Sequence, residues 1–114
     1  MLMDYQRLGE RIQSQRTRKG MTQAQLGDAT GYTSSHIGQL ENARTTPSLE
    51  AVVRIANALE VTPDQLLFDS LDHPEIVYMN KIEKRLNSLA LRPRITACEM
   101  LERMMDLIEV AESK

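Results

Sequence analysis

The sequence holds a single cysteine, Cys98, among its 114 residues. One thiol closes no intrachain disulfide and gives no cysteine zinc site, so the expectation is a buried free thiol. Long apolar runs are also missing. No stretch approaches the roughly 20 apolar residues of a membrane span. The opening MLMDYQRLGER lacks the apolar core of a signal peptide, which places the protein in the cytoplasm, away from membranes. No run of alternating β-branched residues reads as a strand. There is no glycine-rich phosphate loop, no metal-spaced cluster, and no nucleophile with a base beside it. With only His36 and His73 as histidines, a metal site is not expected. The chain is therefore read as no enzyme, needing neither cofactor nor metal.

Net charge is small as well, at −2, which alone names no nucleic-acid partner. Its distribution says more. Residues 1–46 carry six basic and four acidic side chains, residues 47–75 one basic and six acidic, and residues 76–114 seven basic and six acidic. An acidic middle can mask a basic face elsewhere, while the weakly acidic whole argues against binding by bulk charge alone. At 41% hydrophobic and 26% charged, the chain is too apolar for disorder and suits one ordinary domain, or one small domain with an extension.

Glycine, proline and capping residues divide it into helices. The first runs from about Asp4 to Lys19 and stops at Gly20; Leu8 and Ile12 share a face. Thr22-Gln23-Ala24-Gln25 is a capping box opening a second, short helix that ends before Gly31. Thr33 caps a third, through about Asn42. After the turn Thr45-Thr46-Pro47, Ser48 caps a fourth helix carrying Leu49, Val52, Val53, Ile55, Ala56 and Leu59. Thr62-Pro63-Asp64-Gln65 starts a short fifth with Leu66, Leu67 and Phe68. Residues 69–74 read as a linker. Beyond it, Ile76, Ile82, Leu86 and Leu89 mark one amphipathic pattern, and Ile95, Cys98, Leu101, Met105 and Ile108 another, with Pro93 between them. This helical hairpin is too small to bury its apolar faces alone. Met100, Met104 and Met105 suit an interface or core filler. The fold is all-α: a five-helix domain over residues 1–68, then a helical hairpin over 75–114 expected to serve dimerisation.

The DNA-binding assignment rests on residues 22–42. Two short helices joined by a tight turn at Gly31 form a helix-turn-helix, whose second helix must reach base edges in the major groove. Ile37 and Leu40 face inward there, leaving Ser34, Ser35, His36 and Gln39 outward. Over residues 5–68 the chain resembles the phage-repressor/Cro-like helix-turn-helix domains of the xenobiotic-response-element type. Arg16, the TQAQLG start, Gly31, Ile37-x-x-Leu40-Glu41-Asn42, Pro47 and Ile55-Ala56-x-Ala58-Leu59 carry that resemblance.

The resemblance implies five helices around one core, with Gln23 on a phosphate and bracing the second helix. It implies Ser34, Ser35 and Gln39 toward bases, and Asn42 and Arg44 on the backbone. The DNA-facing set is completed by Thr33 and by His36, a surface histidine or a base or phosphate contact. Arg16 continues the inward face of the first helix, and Glu41 stands on the inward row of the third. They are expected to form a partly buried ion pair, which the resemblance implies too. Gly38 and Gly27 depart from the family pattern; Gly38 is read as permitting close approach to DNA, Gly27 as permitting tight helix contact. The function expected is a transcription regulator, by repression, bound to double-stranded palindromic DNA as a homodimer through residues 75–114. The alternatives are an antitoxin or a protein-interaction adaptor using the C-terminal hairpin to bind another protein.

Overall fold

The computed structural model describes residues 2–113, and every regular element among them is helical. The chain order is α1 (Tyr5–Arg18), α2 (Gln23–Thr30), α3 (Ser34–Glu41), α4 (Leu49–Leu59), α5 (Pro63–Leu66), a 3₁₀ turn (Phe68–Ser70), α6 (Glu75–Asn87) and α7 (Leu91–Glu112). No helix among the described residues is long and apolar enough to cross a membrane.

Local chemistry sets these boundaries. The Asp4, Thr22, Thr33 and Ser48 side chains each accept a backbone N–H three residues on, satisfying amides that the first turn leaves without partners. Gln25 completes the α2 capping box, its Oε1 accepting from the Thr22 N–H at 2.8 Å. At the other ends the chain leaves through left-handed residues. Gly20 (φ +73°) lets the Met21 N–H reach the Arg16 carbonyl at 3.1 Å, and Gly31 (φ +82°) follows α2. Ala43 and Glu60 adopt the same region at φ 57° and 58° although they carry side chains.

The core gathers Leu8 and Ile12 from α1, Leu26 from α2, and Ile37 and Leu40 from α3. To these it adds Val52, Ile55, Ala56 and Leu59 from α4 and Leu66 from α5. Each fully buried leucine or isoleucine contributes on the order of 1.5–3 kcal/mol through removal from water. Not every apolar residue of α4 takes part: Leu49 and Val53 lie off the buried face and are exposed.

The segment read as a linker starts inside this domain. Arg11 on α1 holds Asp69 with two hydrogen bonds and lies over the Phe68 ring at 4.4 Å. The buried Ser70 hydroxyl accepts from the Asp4 N–H at 2.9 Å. The compact first unit runs through Val77, and the second begins at Tyr78.

In the second unit, α6 and α7 are joined by Ser88-Leu89-Ala90, and Arg94 ties the corner. Its guanidinium donates to the Leu86, Asn87 and Leu89 carbonyls at 3.0, 3.3 and 2.8 Å, satisfying the end of α6 with a positive charge. The break therefore precedes Pro93, which stands third in α7, where a missing N–H costs no helical bond. Neither helix contains a buried residue. Cys98 is exposed, contrary to the expected buried thiol. Along its stripe Ile95, Met105 and Ile108 are exposed too, and Leu101 is half-buried.

Candidate nucleic-acid interface

The placement of α3 follows from two close approaches and one buried charge. At Gly9 the α1 backbone meets the end of α3: a Cβ there would stand 2.3 Å from the Glu41 carbonyl oxygen and 2.6 Å from that of Leu40. At Gly27 a Cβ would stand 2.6 Å from the Tyr32 carbonyl oxygen, so α2 presses on the turn leading into α3. Both contacts need glycine for lack of a side chain.

The charge is Glu41, whose side chain is 2% exposed. Arg16, at 13%, spans it: Nε donates to Oε2 at 2.6 Å and the second guanidinium nitrogen to Oε1 at 3.1 Å. The remaining Arg16 nitrogen donates to the Met21 carbonyl at 2.8 Å, past the end of α1. Gln23, the first residue of α2, donates from Nε2 to Glu41 Oε1 at 3.1 Å. One carboxylate thus joins α1, α2 and α3. A buried ion pair fixes geometry more than it adds stability, because desolvation offsets much of the attraction. Here it fixes the angle of α3.

Ile37 and Leu40 hold the inner face of α3 in the core, and Ser34, Ser35 and Gln39 are exposed. Ser35, Gln39 and Asn42 follow at spacings of four and three, one stripe along the helix. Gly38 lies on the row toward α2. Its missing Cβ would sit 3.4 Å from the Gln23 amide oxygen, so what lies against Gly38 is the Gln23 side chain.

The Thr33 hydroxyl accepts from the His36 N–H at 3.0 Å and keeps its own proton to donate. His36 is half-buried and meets the Tyr32 ring edge-on, centroids 5.1 Å apart. The Asn42 amide donates to the Gly38 carbonyl at 2.9 Å, closing the end of α3. Because Ala43 is left-handed, the Arg44 N–H reaches the Gln39 carbonyl at 2.9 Å, and the exposed Arg44 emerges immediately past the helix. Of the other cations, Lys19 is turned to the Ala58 carbonyl and Glu60, and Arg7 to Glu10. Among the described residues no group of three or more His, Cys, Asp or Glu side chains is gathered as a metal site requires.

Two supporting residues escape the sequence reading. Arg54 on α4 donates to the Thr30 carbonyl at 3.2 Å and lies 5.9 Å from the Tyr32 ring centre, bracing the turn. Gly9 makes the α1–α3 crossing possible; its signal is a glycine inside a helix, a costly choice without a packing reason.

Among curated proteins, the chain is 34% identical to Repressor protein C2 of Salmonella phage P22 over 83 residues, 73% of this chain and 38% of that one. It is 35% identical to the cryptic phage CTXphi transcriptional repressor RstR of Vibrio cholerae over 60 residues, 53% of this chain and 54% of that one. The chain thus spans about two-fifths to half the length of these relatives. Among solved structures, the P22 c2 repressor in complex with a synthetic operator aligns at TM-score 0.51 and 37% identity. That alignment covers 53% of this chain and 91% of the other. The restriction-modification controller protein C.AhdI of Aeromonas hydrophila aligns at 0.55 and 31%, covering 57% and 98%. The family model described as a helix-turn-helix domain matches residues 7–67, more than half the chain, and the chain belongs to that family, among its phage-repressor-like members.

Proposed function

We propose that this protein is a transcription repressor that reads double-stranded DNA with α3 and binds, as a homodimer, an operator of two half-sites. The observation that carries the reading is the Glu41 lock. It holds one short helix at a fixed angle with its inner face in the core and Ser34, Ser35 and Gln39 outward, in a segment that aligns with a repressor solved on its operator. A helix so held enters the major groove, where hydroxyl and amide groups meet base edges. Gln23, with one amide hydrogen given to Glu41, has a second for a phosphate; Thr33, Asn42 and Arg44 flank the helix for the backbone, and His36 lies beside them.

One α3 offers few base contacts, so a second copy supplies the other half-site, about 34 Å or a multiple of it away. Residues 75–114 are the region for pairing, since most of their described apolar side chains are exposed. Occupying an operator blocks transcription without catalysis or cofactor, and a protein so employed works in the cytoplasm. Selection of bound sequences from random duplex DNA tests this. The expected result is an enriched palindrome with two half-sites; a pool that stays random after repeated rounds would overturn it.

A further inference from the structure

Charge in the second unit is segregated along the chain. Residues 80–94 carry five basic side chains and one acidic, and residues 95–112 five acidic and one basic. On α7 this runs against the helix's own dipole. Its first turn holds Arg92 and no acidic residue, and its last turn holds Glu109 and Glu112 and no basic one. Cations are disfavoured at a helix N-terminus and anions at a C-terminus. Arg94 is relieved by the Leu86 and Asn87 carbonyls at the end of α6; among the described residues no helix end within the second unit does the same for the acidic end of α7. The apolar stripe Ile95, Cys98, Leu101, Met105 and Ile108 lies between these ends, exposed except for the half-buried Leu101. Beside its start is an open cavity of about 550 Å³, lined by Met79, Ile82, Leu86 and Cys98 among others.

We infer that α7 pairs with α7 of a second copy in antiparallel sense. This rests on the homodimer reading above and adds its direction. The stripe is symmetric about its middle: run antiparallel, Ile95 stands opposite Ile108 and Cys98 opposite Met105. Arg92 then meets the Glu109–Glu112 end, and the two helix dipoles oppose. A parallel pair would instead set Arg92 on Arg92, Glu109 on Glu109 and Cys98 on Cys98, with like charges adjacent at both ends. The same apolar area is covered either way, so charge decides the sense.

Cys98 makes the sense measurable. In the antiparallel pair its two copies are ~10 Å apart along the axis, at 1.5 Å per residue, beyond the Cα separation of about 7 Å that a disulfide spans. The full-length protein is brought to low micromolar concentration, its mass measured by light scattering, and then treated with a mild oxidant. The expected results are a dimer by mass, little covalent dimer from the native sequence, and nearly complete covalent dimer from Met105→Cys. Cys98→Ser with Met105→Cys should return to little, and matching circular dichroism melts establish that the variants fold. Covalent dimer from the native sequence overturns the antiparallel sense and leaves the homodimer standing. A dimer that neither sequence cross-links overturns α7 pairing. A monomer by mass overturns this inference and the homodimer reading together, while the random-DNA selection reports separately on DNA recognition.

Discussion

Arg16 and Glu41 are 25 residues apart in sequence, yet the guanidinium covers both oxygens of the carboxylate, at 2.6 and 3.1 Å, in a nearly water-free position. Arg16→Met leaves Glu41 buried with only the Gln23 amide on it, and breaking one side of a buried pair costs about 3–5 kcal/mol. The double change Arg16→Met with Glu41→Leu should recover much of that loss in chemical denaturation. A double-mutant cycle showing no coupling would mean that the pair does not act as a unit. The double variant should still lose operator affinity, because the charge that orients α3 is gone.

The glycines separate by sign. Gly9→Ala drives a methyl into the Glu41 and Leu40 carbonyls, which belong to backbone and cannot swing aside. A loss of about 1–3 kcal/mol or more is expected, with α3 displaced. At Gly38 the added methyl meets only the Gln23 side chain at ordinary contact distance. Gly38→Ala should therefore stabilise the domain by about 0.5–1 kcal/mol, the usual gain within a helix. Thermal melts that rank the two variants the other way would refute this account of the α1–α3 crossing.

What the sequence makes legible follows from how local each cause is. The starts of α2, α3, α4 and α5 are readable because Thr22, Thr33 and Ser48 act on amides three residues on, and Gln65 on the Thr62 amide three residues back. The outward set on α3 is readable because Ile37 and Leu40 fix the inward side, and the Arg16–Glu41 contact because each stands four residues from a core isoleucine. Causes that span the chain are not readable. Nothing near Asp69 announces that Arg11, 58 residues away, holds it, so residues 69–74 look like a linker. Gly9 shows as a costly glycine inside a helix, but its reason appears only once α3 is placed against it. Cys98 sits on a helical apolar stripe and so reads as core, whereas its thiol is exposed, because apolar spacing marks a face without saying what covers it.

Gln39 and Arg44 should fail in different ways. A side chain that reads a base edge contributes roughly 1–3 kcal/mol of discrimination, so Gln39→Ala should weaken operator binding much more than binding to random DNA. A phosphate contact carries no base identity. Arg44→Ala should weaken all sequences together and make the slope of log affinity against log salt shallower by about 0.9. Equal losses on both DNAs for Gln39→Ala would remove it from sequence reading, and an unchanged slope would remove Arg44 from the backbone contacts.

Truncation must respect the docked segment. A fragment ending at Val77 keeps Asp69 and Ser70 on α1 and should fold, run as a monomer and bind the operator weakly. Ending at Phe68 removes both contacts, so that fragment should melt lower. If the fragment ending at Val77 is a dimer of undiminished affinity, the pairing surface lies in the first unit and not in residues 75–114.

Acid should find the same contact. Hydrogen bonding to Arg11 holds the Asp69 carboxyl below the usual carboxylate range, helped by the nearby charges of Arg11 and Arg7 and opposed by partial burial. A carboxyl whose pKa is lower in the folded state binds its proton more readily when unfolded. Its stabilisation is therefore complete at neutral pH and declines as pH falls through the ordinary carboxylate range toward the lowered value. Asp69→Asn keeps the shape and removes the charge, so the native protein should be the more stable of the two at pH 7. The gap should narrow as pH falls through the ordinary carboxylate range toward the lowered value, as Asp69 takes up its proton. Denaturation curves at several pH values, taken in parallel for the two proteins, provide the comparison; a gap that stays constant down the whole range would show that Asp69 acts through packing alone and that its charge contributes nothing.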